Sequence, residues 1–326
     1  MKTRSLGNSG TPVTEVGLGC WQFGGDWGAI SEDRVFELLE TAVNEGIRFF
    51  DTADIYGGGR SESLLGRFFQ GKSDEVFFAT KLGRDPGLYP DKYTKGAIRE
   101  RIEGSLQRLN VSSLGLIQLH CIPMEEMQKG EIFEWLREFQ QEGLIQNFGA
   151  SVESMDEALV CLAQEGIGSL QIIFNIFRQK PINLLFDKAE EKSVGIIVRL
   201  PLASGLLAGK FTAETTFEPQ DHRTYNRNGE KFNVGETFAG LPFEYGVSLS
   251  DQLKYMVPET MTMAQFAMRW ILDFSAVTVI IPGATKVQQV IDNARTSDLD
   301  PLGGEVHLDI EDFYKAKVEA YIRGPY

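Results

Sequence analysis

Residues 47–83, IRFFDTADIYGGGRSESLLGRFFQGKSDEVFFATKLG, hold two apolar runs closed by polar residues, with an amphipathic stretch beginning near Glu62 between them. Runs this apolar suit strands covered on both faces, and an intervening helix makes the two strands parallel. Asp51 lies at the end of the first run and Lys81 near the end of the second. A desolvated ammonium or carboxylate needs an opposite charge, and neighbouring parallel strands would give each residue the other as partner.

The same unit recurs along the chain. Further strand-like runs are EVGLGCW (15–21), LGLIQLH (114–120), IQNFGAS (145–151), LQIIFNIF (170–177), VGIIVRL (194–200) and VTVIIPG (277–283). Between them lie stretches of helical period. SEDRVFELLETAVNEG has Ser31 as its N-cap, and TKGAIRERIEGSLQRLN carries Ile98, Ile102, Leu106 and Leu109 as its apolar positions. Others begin near Glu125, Ser154, Ile182, Thr262 and Lys286. Strict βα alternation predicts an α/β protein, a single (β/α)8 TIM barrel formed by residues 1–326 as one domain. Three pieces fall outside the repeat. Residues 2–14 read as a hairpin around Gly7-Asn8-Ser9-Gly10, residues 212–260 as a long lid-like loop after strand seven, and DIEDFYKAKVEAYI as a terminal helix.

The chain has 326 residues, 42% of them apolar and 24% charged, with a net charge of −14. That balance argues against nucleic acid and against docking on anionic lipid. MKTRSLGNSGTPV has no apolar stretch after its basic residues, so no signal peptide is expected, and no run is long enough for a membrane span. Cys20, Cys121 and Cys161 are scattered, which predicts a reduced, cytoplasmic setting. His120, His222 and His307 lack metal-ligand spacing, and no metal is expected. With no distinct assembly segment, the expected state is a monomer or weak homo-oligomer.

In a barrel of this kind the active site forms at the C-terminal mouth. Asp51, Lys81 and His120 close strand-like runs, and Tyr56 follows the first on a loop bent by Gly57-Gly58-Gly59. Together they offer a phenol, an ammonium, a carboxylate and an imidazole, equipment for moving a proton onto or off an oxygen. Lys81 is expected to lower the Tyr56 pKa, Asp51 to hold Lys81 charged, and His120 to polarise a carbonyl. The set supplies no electrons, so redox chemistry would need an organic cofactor. Cys121 follows His120 and, by strand alternation, is expected on the opposite face. Phe23, Trp27, Phe232, Phe238 and Phe243 read either as pocket lining or as clamps for their own loops.

GLGCWQFGG, FFDTADIYGGGRSESLLG, ATKLG, IQLHCIP, FGAS, LQIIFNIFR, VRLPLASGLLAGKF and IIPGATKVQQVIDN occur in this order from about Arg4 to Thr296. In these blocks the chain resembles the aldo-keto reductase superfamily, whose barrels bind an extended NADP(H) without a Rossmann domain. The chain has no GxGxxG after a strand and no GxxxxGK[ST]. The resemblance implies Tyr56 as general acid/base, Asp51 and Lys81 as its tuning pair, and His120 as the carbonyl-orienting residue. Trp21 is implied as an aromatic wall near the nicotinamide, and Ser151 with Gln171 as the carboxamide pair. Pro201, Leu202, Ala203, Ser204 and Gly205, with Lys210, are implied as the pyrophosphate clamp. Gly283, Thr285, Gln289, Asp292 and Asn293 are implied at the adenosine end. Arg223 reads either as a pyrophosphate contact or as a solvated arginine.

Three positions depart from the family pattern. Val152 follows Ser151 where the family often has Asn, and Arg199 takes the ring-stacking place usually held by Tyr or Trp, as in some bacterial members. Gln289 stands where many members carry an arginine for the 2′-phosphate, leaving Lys286 as the nearby charge. The resemblance therefore implies NADPH as cofactor, NADH being possible, and a small carbonyl compound as substrate. Two rival readings are a cofactor-sensing regulatory subunit, which can replace His120, and a Schiff-base lyase using Lys81. Asp51 argues against the lyase because it keeps the amine protonated.

Overall fold

The computed structural model describes residues 1–25 and 27–326; Asp26, in the 22–30 loop, lies outside the described residues. Strands β1 (Thr3–Ser5) and β2 (Pro12–Thr14) pair antiparallel around a turn at Gly7–Ser9. Eight parallel strands follow: β3 (Leu18–Gly19), β4 (Phe49–Asp51), β5 (Phe77–Leu82), β6 (Leu116–His120), β7 (Phe148–Ser151), β8 (Ser169–Ile173), β9 (Gly195–Arg199) and β10 (Val277–Ile280). They pair in chain order. Parallel bridges from Val16 to Ile280 and from Gly19 to Gly283 join the first of them to the last. The sheet is therefore closed.

Helices α1 (Glu32–Asn44), α2 (Arg60–Phe68), α3 (Lys95–Leu109), α4 (Met124–Lys129), α5 (Glu131–Gln141), α6 (Met155–Leu162) and α7 (Asp187–Glu191) occupy the crossovers up to β9. The 212–260 insertion contains α8 (His222–Tyr225) and α9 (Phe243–Leu253); α10 (Met263–Leu272), α11 (Val287–Arg295) and α12 (Gly304–Lys317) complete the chain. Polar caps set several helix starts. The Ser31 hydroxyl accepts the Arg34 N–H, and Ser154 and Thr262 each form a reciprocal capping box with the residue three further on. No helix among the described residues is long and apolar enough to cross a membrane.

Strand alternation sorts the side chains. Leu6 and Val13 of the hairpin join Phe49, Ala79, Leu116, Ile197 and Val279 in an inner cluster. Phe50, Phe78, Ile117, Ile196 and Val198 belong instead to the larger cluster shared with the helices. Period two then carries the inner face upward to Asp51, Lys81, Gln118 and His120, Ser151, Gln171 and Arg199. The hairpin covers the opposite end of the barrel: a Cβ on Gly7 would lie 2.2 Å from the Gly168 carbonyl oxygen, just before β8 begins.

Candidate active site

Asp51 and Lys81 meet as the sequence suggests. The ammonium donates to Asp51 Oδ1 at 2.5 Å, to the Thr52 carbonyl at 2.8 Å and to the Tyr56 hydroxyl oxygen at 3.3 Å, which uses all three of its protons. Asp51 Oδ2 accepts from Gln171 at 2.8 Å and Gln118 at 3.3 Å. A buried ion pair is tolerable when its spare lone pairs and protons are satisfied in this way. The Tyr56 loop is held by close backbone approach, since a Cβ on Gly24 would lie 2.6 Å from the Gly57 nitrogen. His120 faces Tyr56 edge-on with ring centroids 5.9 Å apart, and its buried Nδ1 has no hydrogen-bond partner among the described residues.

Burial outweighs Lys81, which acts on Tyr56 in the expected direction. Burial pushes the Tyr56 phenol up to about 12; Lys81 pulls it down, but not enough to offset the loss of water, and Asp51 adds to the rise. Burial, with Lys81, Arg84 and Arg199 nearby, holds His120 well below the usual histidine range, so it is neutral at pH 7. The protein thus presents a protonated phenol beside a neutral imidazole.

A cavity of about 510 Å³ opens above these groups. Asp51, Tyr56, His120, Trp21, Gln171, Arg199, Pro201, Leu202, Ser204, Gly205, Lys210, Gly283, Thr285 and Gln289 all border it. Lys81 lies beneath and does not. Ser151, Ala203, Lys286, Asp292 and Asn293 do not border it. Ser151 is buried, 3.7 Å from the Cys121 sulfur. Ala203 is packed in the core, Asn293 is buried on α11, and Lys286 is exposed at the start of that helix. Asp292 is half-buried and accepts from Gln288. Gln171 is turned to Asp51 and donates to Gln118 as well.

Gln289 folds back to accept the Thr285 and Lys286 backbone N–H groups at 2.9 and 3.0 Å, so it caps α11. The turn after β9 is strained: Leu200, Ala203 and Ser204 have φ of 52°, 47° and 55°, and Gly205 has 101°. Non-glycine residues persist in that region when the surroundings over-determine them, often around a ligand. Beside this turn Lys210 forms no ion pair among the described residues. A strained turn and a free ammonium on one wall fit a dinucleotide's pyrophosphate.

Cys121 also borders the cavity, against expectation. β6 stops at His120, and Cys121 turns to φ 47°, which breaks the alternation that would have aimed it away. Trp27 and Phe232 are lining residues, while Phe23, Phe238 and Phe243 are buried in packing. Arg223 takes neither expected role alone. It borders the cavity, pairs with Asp221 at 2.6 Å and lies over the Trp27 and Phe217 rings.

Sequence reasoning missed Gln118, Arg84, Glu153 and Glu236. Gln118 had a readable signal, being polar inside LGLIQLH and two residues before His120, hence on the same face. Glu236 had none: it comes from the aperiodic insertion and reaches Arg199 with Oε1 at 2.6 Å. Cys121, Glu153 and Glu236 bring possible ligand atoms within 4.8 Å of one another, but Arg84 and Arg199 already neutralise the two carboxylates.

Asp54, three residues past Asp51, is buried with neither oxygen hydrogen-bonded among the described residues. Burial, reinforced by Glu62 and opposed by Arg108, lifts its carboxyl from 3.8 to about 7. Between those values the folded chain keeps a proton that the unfolded chain has lost, so stability falls as pH rises through that window. Asp54→Asn is expected to stabilise the protein at pH 8 by about 2–4 kcal/mol and to flatten this dependence. Urea unfolding at pH 5 and pH 8 measures both effects.

The closed sheet and the polar groups gathered at its C-terminal mouth define a TIM-barrel protein with an enzyme-like site. The Aldo/keto reductase family model matches residues 15–315, and the protein belongs to that family. It is 28% identical over 326 aligned residues to the uncharacterized oxidoreductase YqkF of Bacillus subtilis, covering 97% of this chain and 99% of that one. Among solved structures it resembles the glycerol dehydrogenase AKR11B4 from Gluconobacter oxydans, with TM-score 0.80, 28% identity and coverage of 99% and 98%. It also resembles the holo form of aldo-keto reductase AKR11C1 from Bacillus halodurans, with TM-score 0.78, 26% identity and 98% of both chains.

Proposed function

We propose that this protein is an NAD(P)H-dependent reductase of small aldehydes or ketones that also runs in reverse, with Tyr56 as the proton donor. The observation carrying the reading is the convergence of Tyr56, Lys81, Asp51 and His120 at the base of a cavity whose far wall is a strained turn beside Lys210. A bound nicotinamide would supply hydride to the carbonyl carbon. The chain's own residues do the rest.

His120, neutral and with Nδ1 unpaired, meets the carbonyl oxygen from one side, and Tyr56 from the other. As negative charge develops on that oxygen, Tyr56 passes its proton, and the phenolate left behind is stabilised by the Lys81 N–H already aimed at it. Asp51 keeps Lys81 charged and fixed. Trp21, Trp27 and Phe232 give the substrate side an aromatic wall, which suits an apolar or aromatic carbonyl compound. Arg199, Pro201–Gly205 and Lys210 would hold the cofactor from ring to pyrophosphate, with Thr285 and Gln289 at its adenosine end. NADPH is the expected cofactor, with Lys286 as the available charge for its 2′-phosphate.

The presence of His120 in the cavity beside Tyr56 favours turnover over a cofactor-sensing role. Titration with NADPH and NADH by tryptophan fluorescence, followed by NADPH oxidation over an aldehyde panel, tests the reading. Tight binding with turnover is expected; tight binding with no turnover on any aldehyde would favour the sensor instead. The pH dependence is directional. Tyr56 stays protonated until pH approaches about 12, so its ionisation does not slow reduction between pH 6 and 9. Alcohol oxidation, which needs the phenolate, is expected to accelerate as pH rises over the same range.

A further inference from the structure

Arg199 ends β9 with all three guanidinium nitrogens hydrogen-bonded. Nε and Nη2 donate to Glu236 Oε1 at 3.1 and 2.6 Å, and Nη1 donates to the Gln171 carbonyl at 3.1 Å. The Arg199 and Glu236 side chains are only 11% and 10% exposed. Glu236 is delivered by the insertion, and its segment is fastened at the base. The Ser204 hydroxyl donates to the Glu236 carbonyl at 3.1 Å and accepts the Phe238 N–H at 3.1 Å. Burial pushes the Glu236 carboxyl up, but Arg199 more than offsets this and leaves it below the usual carboxylate range. The pair is therefore charged on both sides and neutral in sum.

Lys210 apart, other cations near the mouth are paired in the same way. Lys81 pairs with Asp51, Arg84 with Glu153 and Arg223 with Asp221. A carboxylate is costly to bury, and a guanidinium needs none in order to stack on a ring. The expense makes sense where an uncancelled positive charge would harm what lies against it. A nicotinamide ring is neutral when reduced and cationic when oxidised, so a bare guanidinium beneath it would repel one form and spare the other.

We propose that Glu236 sets the redox poise of the nicotinamide couple held against Arg199, by cancelling the guanidinium charge so that the oxidised ring is retained nearly as well as the reduced one. The proposal rests on the preceding reading that this cavity binds NAD(P). It gives the insertion a role in both directions of the reaction: it supplies the counter-charge without which the oxidised cofactor would be held poorly. At the few ångströms of a stacked contact a unit charge, even at an effective dielectric constant of about 20, interacts strongly enough to change the ratio of the two affinities by about tenfold or more.

The test is the pair of dissociation constants for NADPH and NADP+, measured by fluorescence titration on the wild-type protein, Glu236→Gln, Glu236→Asp and Arg199→Gln. Glu236→Gln is expected to raise the NADP+/NADPH ratio of Kd values by about tenfold, Glu236→Asp to restore it, and Arg199→Gln, which leaves the carboxylate alone, to move it the opposite way. The midpoint potential of the bound couple should rise in Glu236→Gln. Equal weakening of both cofactors would mean a merely structural role and would overturn the proposal, as would an unchanged ratio in Arg199→Gln should Glu236→Gln not fold. Failure of the wild-type protein to bind either cofactor would instead remove the functional reading itself.

Discussion

Replacing Tyr56 with Phe is expected to lower kcat for reduction of 4-nitrobenzaldehyde by about 10²–10⁴-fold, the usual contribution of a positioned general acid. The ring and its near-parallel neighbour Trp21 at 6.0 Å are retained, so folding and NADPH affinity should stay near wild type. Only one hydroxyl is lost. It takes with it the long 3.3 Å hydrogen bond from Lys81, whose shorter bonds to Asp51 and Thr52 persist. Near wild-type turnover in stopped-flow or steady-state measurements would remove Tyr56 from the role of proton donor.

The second large effect concerns stability. Lys81→Met leaves Asp51 buried, 3% exposed, with two glutamine amides but no cation. Breaking one side of a buried ion pair typically costs about 3–5 kcal/mol, because the remaining charge cannot regain water. Urea denaturation should register that loss, together with a near-complete loss of turnover. The double variant Asp51→Asn, Lys81→Met removes both charges and is expected to recover much of the stability and none of the activity. If Lys81→Met alone were as stable as wild type, the pair would not be the charged, desolvated unit described here.

Much of the fold could be read from residues because barrel strands advertise themselves. Phe49-Phe50, Phe77-Phe78 and Ile196-Ile197-Val198 supply apolar side chains to both faces of the sheet, as only a covered parallel sheet requires. The inner-face residues Asp51, Lys81 and His120 were legible for the converse reason: each is polar where the pattern demands hydrocarbon. Helix starts were legible where a hydroxyl caps them, at Ser31, Ser154 and Thr262.

What escaped reading has physical causes. The net pKa of Tyr56 depends on how much water the folded mouth excludes, and a sequence lists neighbours without giving their depth. Cys121 was misplaced because alternation holds only while the strand lasts, and the strand ends one residue earlier. Glu236 was invisible because the insertion has no periodicity to place it, and the contact with Arg199 spans 37 residues. Gln289 was placed at the adenosine end by resemblance alone, and nothing in the sequence told that the open N–H groups at the start of α11 claim its side-chain oxygen.

The most direct measurement is a crystal structure grown with NADP+ and a substrate-like carbonyl compound. The expected result is a nicotinamide ring against Arg199, the pyrophosphate on the Pro201–Gly205 turn near Lys210, and a carbonyl oxygen within hydrogen-bond reach of both Tyr56 and His120. A dinucleotide bound elsewhere, or a carbonyl oxygen out of reach of the Tyr56 hydroxyl, would contradict the assignment of this mouth as the place where hydride and proton meet their substrate.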